Sequence, residues 1–242
     1  MTPPPDHLRD ALADGVASRA VEAGIYSVLS TDTGPHHYDS WAALYDVVVG
    51  SRPYNRLVWG CSPREYGRFA ERAVRSAGGC FLEAGCGSLV FTADVYARAE
   101  RPLIVMDQSL GMLRRARERL VGRAGRVPAH VVLLQADLGA LPFRPAAFRT
   151  ILSLNVLHLV PDAAAMLPPL ARCLAPGGGF FATSLVRSGG RGDRAMALYH
   201  RMGELAPPRT PAELAEAMAQ ALGVDPSVRV AGSMAFAECT IP

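Results

Sequence analysis

Short apolar runs alternate with helical patterns over residues 78–186. Val131-Val132-Leu133-Leu134 is continuous rather than alternating, as expected for a strand that is covered on both faces of a sheet. The stretches between the runs carry apolar residues at the spacing of a helix. We therefore predict strands at 80–84, 103–106, 130–135, 150–154 and 180–185, and helices at 88–99, 109–121 and 163–174. This alternation predicts an α/β fold with a parallel sheet and helices on both faces.

The C-terminal part follows a different pattern. It predicts a Gly/Arg/Ser-rich loop at 187–193, helices at 193–205 and 211–222, and strands at 228–231 and 234–241. Thr210 is placed to cap the second helix, with Pro211 in its first turn. Gly232-Ser233 separates the two strands and favours a hairpin, which would add one antiparallel strand to the sheet.

Residues 1–76 precede the first predicted strand and are predicted to be mainly helical. Leu8, Leu12, Val16 and Ala20 recur at helical spacing. The pattern predicts helices at 7–23, 38–49 and 63–76, and a loop at 50–56. We expect residues 1–76 to form a helical cover on a single α/β domain at 77–242.

The basic residues narrow the possible chemistry. All 25 of them are arginine, so the chain has no lysine, although its net charge is +3. This excludes Schiff-base and pyridoxal catalysis, which need a lysine amine, and also a Gly-Lys phosphate loop. The densest arginine cluster, at 114–119, has the spacing of a solvated helix face, so no nucleic-acid partner is expected.

The sequence also bears on location and metals. No apolar run reaches the roughly 18 residues of a membrane span, and the first residues lack the basic and apolar regions of a signal peptide. The five cysteines form no Cys-x-x-Cys pair, so neither a disulfide framework nor a zinc site is expected. We expect a cytoplasmic protein that binds no metal and no membrane.

The segment Glu83-Ala84-Gly85-Cys86-Gly87 ends a predicted strand and opens a helix. Glycines there let the backbone turn tightly and approach a ligand, and the N–H groups of such a turn bind a carboxylate. Glu83 suits a cationic group such as an ammonium and would repel a pyrophosphate. Val90 occupies the third glycine position of the dinucleotide fingerprint, which is therefore incomplete. The alternative is an ordinary strand-to-helix turn.

Two further acidic residues follow predicted strands. Asp107 comes 22 residues after Gly85, a separation at which a carboxylate accepts both hydroxyl groups of a ribose. Asp137 follows the third strand, where it could accept the exocyclic amine of adenine while Leu138 covers the ring. Asp107 could instead cap a helix, or do both, and Asp137 could instead cap a turn.

These motifs resemble those of a known family in order and spacing. They continue with Ala136-Asp137-Leu138, Leu141-Pro142-Phe143, the run from Leu154 to Asp162, and Pro176-Gly177-Gly178. The chain resembles the class I S-adenosylmethionine-dependent methyltransferases, specifically the small-molecule group that includes the ubiquinone and menaquinone biosynthesis enzymes. The resemblance is strongest over residues 78–186. It implies a Rossmann-like, doubly wound sheet of seven strands, the seventh antiparallel, and a small-molecule acceptor such as a secondary metabolite.

The resemblance also implies a cofactor site for S-adenosylmethionine, with S-adenosylhomocysteine as product. The implied contacts are Glu83, Gly85, Cys86 and Gly87 with the methionine end, Asp107, Gln108 and Met112 with the ribose and one adenine face, Asp137 and Leu138 with the adenine, Asn155 beneath the methionine portion, and Tyr38 or Tyr45 with the carboxylate. One position departs from the family pattern. Leu89 stands where the family often has a third glycine, which would narrow the space beside the methionine portion.

Candidate residues for catalysis and substrate binding lie outside these motifs. A sulfonium is already a strong leaving group, so alignment and water exclusion are the main tasks and a base is optional. His158, just past the fourth predicted strand, is the candidate base, and its alternative role is a hydrogen bond to a neighbouring backbone carbonyl. The insertion at 187–223 is expected to cover the substrate. The candidate pocket residues are Tyr54, Trp59, Tyr199, His200 and Met202.

Three other functions compete with methyl transfer to a small molecule. A nicotinamide-dependent oxidoreductase is disfavoured by Glu83 and Val90. A nucleic-acid methyltransferase is disfavoured by the scattered arginines and by the absence of an Asn-Pro-Pro-Tyr motif at Asn155. A methyltransferase-like protein that catalyses a different reaction, or serves as a scaffold, stays open. So do the acceptor atom and the choice between monomer and homodimer.

Overall fold

A mixed β-sheet forms the centre of the computed structural model, which describes residues 3–30 and 50–242. Within these residues the strands are β1 (Arg19–Glu22), β2 (Ile25–Ser27), β3 (Phe81–Ala84), β4 (Leu103–Asp107), β5 (Val131–Gln135), β6 (Phe148–Leu154), β7 (Leu174–Leu185), β8 (Ser227–Ala231) and β9 (Met234–Thr240). Their spatial order is β1-β2-β5-β4-β3-β6-β7-β9-β8. The strands from β5 to β7 in this order run parallel.

Helices cover both faces of the sheet. In the described residues they are α1 (Asp6–Ala11), α2 (Arg52–Tyr54) followed by a π-helical turn (Asn55–Trp59), α3 (Pro63–Arg75), α4 (Ala93–Ala97), α5 (Leu110–Ala124), α6 (Ala163–Cys173), α7 (Gly192–Arg201) and α8 (Pro211–Leu222). Alternate strand residues point to opposite faces. Leu82 therefore packs with α1, α6 and α8 in one cluster, and Phe81 packs with α3, α4 and α5 in the other.

The structure confirms the five parallel strands predicted from the apolar runs. Phe81 of β3 pairs with Leu103 of β4 on one side and with Thr150 of β6 on the other. Leu103–Met106 is fully buried, which explains why this run shows no alternation. Because the strands are parallel and nearly in register, the segments that leave their carboxyl ends meet at one edge, where ligands bind in such sheets.

The expectation of seven strands with one of them antiparallel is corrected by the structure. The described sheet has nine strands, because β1 and β2 add a hairpin beyond β5. β2 pairs parallel to β5, whereas β1 and β9 run antiparallel to their neighbours. Gly24, with φ of 78°, makes the turn between β1 and β2. The predicted C-terminal hairpin is confirmed as β8 and β9.

The N-terminal helical prediction is only partly right. The helix expected at 7–23 ends at Ala11, because the chain turns at Gly15 and then pairs with the sheet. The loop expected at 50–56 is instead α2 and the π-helical turn, with Ser51 accepting a hydrogen bond from the Tyr54 N–H. The helix expected at 63–76 is confirmed as α3. The helix expected at 38–49 lies outside the described residues.

Helix ends in the rest of the chain follow local chemistry. The helix predicted at 88–99 begins only at Ala93, because Leu89 has a left-handed φ of 57° that a helix does not accommodate. α8 begins as predicted, with Thr210 and Glu213 forming a reciprocal capping box. α7 ends at Arg201, short of the predicted 205. None of the helices in residues 3–30 and 50–242 has the length and apolar character needed to cross a membrane.

Candidate active site

A cleft of about 790 Å³ opens where the parallel strands end. Its walls are the glycine turn after β3, the start of α5 after β4, the loop after β5, and the segment from β6 into α6. All ten predicted cofactor residues that the structure describes line it: Glu83, Gly85, Cys86, Gly87, Asp107, Gln108, Met112, Asp137, Leu138 and Asn155. Tyr38 and Tyr45 lie outside the described residues.

The glycine turn is held close to the neighbouring strand. The N–H groups of Gly85 and Cys86 both donate to the Met106 carbonyl, at 2.9 and 2.8 Å. Gly85 has φ of 78°, and a Cβ on it would lie 2.5 Å from Cγ2 of Val156. Gly87 has φ of 53°, and no atom lies within 4 Å of where its Cβ would be. The turn therefore needs glycine at Gly85 for packing, and at Gly87 it borders open space that a ligand can fill.

Glu83 places a buried carboxyl group at the base of this turn. Its side chain is 1% exposed, and its neighbours are the hydroxyl groups of Thr92 and Tyr96 and the carboxylate of Asp107. Burial raises the pKa of Glu83 to about 8, although the neighbouring Tyr96 and Thr92 hydroxyls oppose the rise. A cationic group that entered the cleft here would favour the ionised form.

Asp107 links the glycine turn to the start of α5. Its Oδ2 accepts the Gly87 N–H at 2.8 Å, and its Oδ1 accepts the Ser109 N–H at 2.9 Å. Ser109 in turn caps α5 by accepting the Met112 N–H. A carboxylate oxygen accepts more than one hydrogen bond, so Asp107 can hold the turn and still accept hydroxyl groups of a ligand. The two alternative roles weighed from the sequence therefore coexist in this geometry.

The loops after β5 and β6 complete the cleft. Asp137 accepts the Gly139 N–H at 2.9 Å, and this bond fixes the loop that carries Leu138. Asn155 has φ of 59°, a left-handed conformation that asparagine tolerates better than most residues. Thr183 holds it there, since its Oγ1 accepts the Asn155 N–H and donates to Asn155 Oδ1, both at 3.0 Å.

Several lining residues were not assigned to the site from the sequence, although Leu89, Val90 and the run from Leu154 to Asp162 were named there for other reasons. They are Ser88 to Thr92, Gly139, Leu154, Val156, Leu159 to Asp162, and Ala165, Met166 and Pro169 of α6. Most are apolar, and nothing in their residue type separates them from core residues. Their positions directly after β3 and β6 are the one signal that could have found them, since segments at the carboxyl ends of parallel strands border the ligand site.

His158 does not line the cleft. Its Nδ1 accepts the Leu185 N–H at 3.1 Å, so that lone pair is occupied by a backbone N–H and not, as the alternative had it, bonded to a carbonyl. Burial, with a smaller effect of the nearby Arg209 charge, lowers the pKa of His158 to about 3. The imidazole is thus neutral at physiological pH and a weak proton acceptor. This geometry argues against the candidate role of His158 as a general base.

The predicted substrate residues separate into two groups. Tyr54, Trp59 and Tyr199 form an aromatic cluster, in which the two tyrosine hydroxyls are 3.0 Å apart and each ring centroid lies 6.1 Å from that of Trp59. None of these three residues is among those that line the cleft. His200 Nδ1 contacts the Leu205 carbonyl on the surface, and Met202 is 62% exposed.

The described residues contain no group of His, Cys, Asp or Glu side chains that could hold a metal ion. All five cysteines are free, and burial raises the pKa of the Cys86 thiol in the cleft. The polar side chains that line the cleft carry carboxyl groups, the amides of Gln108 and Asn155, and the hydroxyls of Ser88 and Thr92, and the glycine turn adds backbone N–H groups. This set fits a ligand that carries an ammonium, a carboxylate and a ribose, as S-adenosylmethionine does.

Comparisons with known proteins agree with this fit. Residues 81–178 match the family described as Methyltransferase domain. Trans-aconitate 2-methyltransferase from Methylobacterium nodulans is 39% identical over 99 residues, which are 40% of this chain and 34% of that protein. The uncharacterized methyltransferase At1g78140, chloroplastic, from Arabidopsis thaliana is 29% identical over 140 residues, 55% of this chain and 39% of that protein. The chain thus spans less than half the length of these curated relatives.

A solved structure with a similar fold covers more of the chain. The crystal structure of the [4+2]-cyclase SpnF superposes with a TM-score of 0.65 at 17% identity, covering 85% of this chain and 93% of that one. At this identity the likeness concerns the fold alone.

Proposed function

We propose that the protein transfers a methyl group from S-adenosylmethionine to a small-molecule acceptor, because residues 81–178 match a methyltransferase domain family and the motif residues of that region line one cleft. The observation that carries this proposal is the convergence of ten motif residues, from four separate loops, on one cleft. The product of the cofactor would be S-adenosylhomocysteine.

The residues of the cleft have complementary roles in holding the cofactor. Glu83 would accept the ammonium group, and the N–H groups of the glycine turn would face the carboxylate. Asp107 would accept the ribose hydroxyls, while Asp137 and Leu138 would take the adenine. When bound, the sulfonium would supply an activated methyl group, which bonds to an in-line nucleophile of the acceptor as its bond to sulfur breaks and S-adenosylhomocysteine leaves. The task of the protein is then to fix the distance and angle between the reactants and to exclude water.

The walls of the cleft support an uncharged, largely apolar acceptor. Beyond the cofactor motifs the lining consists mainly of side chains such as Phe91, Val160 and Met166. Asp162 is the charged exception, and its Oδ1 is already bonded to the Ala165 N–H as the cap of α6. No arginine or histidine lines the cleft within the described residues, so a polyanionic acceptor would lack a counter-ion there. An uncharged secondary metabolite would fit this apolar lining.

No general base is assigned in this proposal. With a pKa of about 3 and Nδ1 bonded to backbone, His158 is unsuited to deprotonate an acceptor near neutral pH. We propose that alignment alone drives the transfer, with the acceptor proton lost to solvent. The protein would act in the cytoplasm as a monomer or homodimer, a location supported by its five free cysteines.

A second candidate function is a reaction that uses the same fold without methyl transfer. The observation that favours this second candidate is the similarity in fold to the [4+2]-cyclase SpnF, which extends over 93% of that chain. A nicotinamide-dependent reaction is less well supported, because the buried Glu83 carboxyl would meet a pyrophosphate at the glycine turn.

Transfer of labelled methyl tests the proposal. The protein is incubated with S-adenosylmethionine carrying a radioactive methyl group and with two acceptor panels, one of uncharged apolar alcohols and phenols, the other of carboxylic acids. We expect labelled product from the apolar panel, and much less of it with the Asp107→Asn variant when S-adenosylmethionine is not saturating. Label only in the carboxylic acids would overturn the acceptor class. Conversion of an acceptor without label or S-adenosylhomocysteine would favour the second candidate function.

A further inference from the structure

One wall of the cleft is an irregular segment that leaves β6, residues 156–162. Within it, the Leu159 N–H donates to the Val156 carbonyl, and three further carbonyls of the segment accept hydrogen bonds from one arginine. The Arg209 guanidinium donates from Nη1 to the Leu157 carbonyl at 3.1 Å, and from Nη2 to the carbonyls of Val160 and Pro161 at 3.2 and 2.7 Å. A single side chain thus holds three carbonyls of this wall.

The backbone around Arg209 is itself tied to the sheet. The Arg209 carbonyl accepts the Arg187 N–H at 2.7 Å, just after β7, and the Ala206 N–H donates to the His158 carbonyl at 3.0 Å. His158 also accepts the Leu185 N–H. Pro207 and Pro208 restrict the chain that precedes Arg209, and the capping box of α8 begins directly after it. The guanidinium is therefore presented from a rigid support.

The held wall reaches the cofactor turn. Val156 packs so closely over Gly85 that a Cβ there would clash with it at 2.5 Å. Leu159, Val160 and Pro161 line the part of the cleft next to it. A shift of this segment would change both the space above the glycine turn and the shape offered to an acceptor.

We propose that Arg209 is a positioning residue, which fixes the wall from Val156 to Pro161 against the glycine turn and thereby sets the geometry of the cleft. This role deepens the proposed function. It rests on that function in one respect, namely that the cleft is the cofactor site. Arg209 lies outside every motif of the sequence, about fifty residues beyond the wall it holds. The positive charge of its guanidinium strengthens the hydrogen bonds that it donates to carbonyl oxygens.

The experiment combines hydrogen exchange of the full chain with calorimetry of S-adenosylhomocysteine binding. The variants are Arg209→Gln, Arg209→Lys, and Arg187→Gln as the control. Arg187 carries the same charge nearby, but its side chain is half-exposed and pairs with Glu213 on the surface. For Arg209→Gln we expect exchange over 156–162 to rise about tenfold, with α5 unchanged. We expect binding to weaken about fivefold to tenfold, because the wall over the turn is no longer fixed.

Rescue distinguishes positioning from general stability. Arg209→Lys should recover part of the protection and of the affinity, since an ammonium still donates to carbonyls, and Arg187→Gln should match the wild type. Unchanged protection of 156–162, unchanged affinity, or uniformly faster exchange across the fold in Arg209→Gln would each overturn the proposal. If the wild type itself fails to bind S-adenosylhomocysteine, the proposed function fails, and the exchange of the free protein still tests the role of Arg209.

Discussion

At the scale of single residues, Leu89 combines two features that oppose each other energetically. Its φ of 57° is a left-handed conformation, yet its side chain is only 1% exposed. Left-handed backbone costs a leucine about 1–2 kcal/mol, whereas full burial of the side chain stabilises the fold by about 1.5–3 kcal/mol. Packing therefore outweighs strain at this position.

Replacing Leu89 by Ala and by Gly separates these two effects. Leu89→Ala should destabilise the protein by about 2–4 kcal/mol, because it loses the buried side chain and keeps the strain. Leu89→Gly loses the same packing but relieves the strain, so it should be at least as stable as the alanine variant. In unstrained helices and strands glycine is less stable than alanine by about 0.5–1 kcal/mol. Urea unfolding measures the relative stability of the two variants. If the alanine variant is more stable than the glycine variant by about 0.5–1 kcal/mol, the assigned strain at Leu89 is contradicted.

Glu83 makes the stability of the free protein depend on pH. Its pKa is raised by burial from the ordinary 4.5 to about 8 in the folded chain. Between these values the folded state keeps a proton that the unfolded chain has released. The contribution of Glu83 to the free energy of unfolding is therefore complete below the lower pKa and is lost as the pH rises through the higher one.

Glu83→Gln should remove this dependence, because the amide is neutral at every pH. The free energy of unfolding in urea, measured at about pH 5 and about pH 8, should fall less between the two values in this variant than in the wild type. Glu118→Gln, at an exposed position of α5, is the matched control and should keep the wild-type slope. If the free energy of unfolding changes equally with pH in wild type and Glu83→Gln, the raised pKa of Glu83 is refuted.

At the scale of elements, the edge hairpin of β1 and β2 is the main departure from the sequence-based fold. Ile25 is fully buried and pairs with Leu133 of β5, so the hairpin belongs to the sheet. Glu22 ties it to α5 through ion pairs with Arg114 and Arg117. The apolar residues from Leu8 to Ala20 recur at helical spacing, so the sequence predicted a helix in place of the hairpin. Apolar periodicity carries no information about the strand with which a segment pairs, here the open edge of β5.

Ile25→Ala tests whether the hairpin contributes to the stability of the domain. Loss of this buried side chain should lower the free energy of unfolding by about 2–4 kcal/mol, measured by urea denaturation. Arg19→Ala, at an exposed position of the same hairpin, should change it by less than about 0.5 kcal/mol. If both variants match the wild type, the hairpin is not a structural part of the sheet.

At the scale of the whole molecule, prediction from sequence succeeded where local chemistry and topology agree. The five parallel strands carry strong apolar runs, and the residues that follow them are forced to one edge, so the motif residues from Glu83 to Asn155 meet as expected. The candidate pocket residues Tyr54, Trp59 and Tyr199 instead pack against one another away from the cleft lining, because the π-helical turn and α7 bring them together. His158 could not be assigned from sequence, because its partner, the Leu185 N–H, is supplied by a distant strand.

The central claim is that the cleft binds S-adenosylmethionine through Glu83, the glycine turn and Asp107. Calorimetry of S-adenosylhomocysteine with wild type, Asp107→Asn and the control Asp94→Asn tests it most directly, because Asp94 pairs with Arg123 on the surface of α4. We predict micromolar binding to wild type and control, and binding at least about tenfold weaker for Asp107→Asn, since charged acceptors form the stronger hydrogen bonds. Binding of NADH in place of S-adenosylhomocysteine, or equal affinity of all three proteins, would contradict the account.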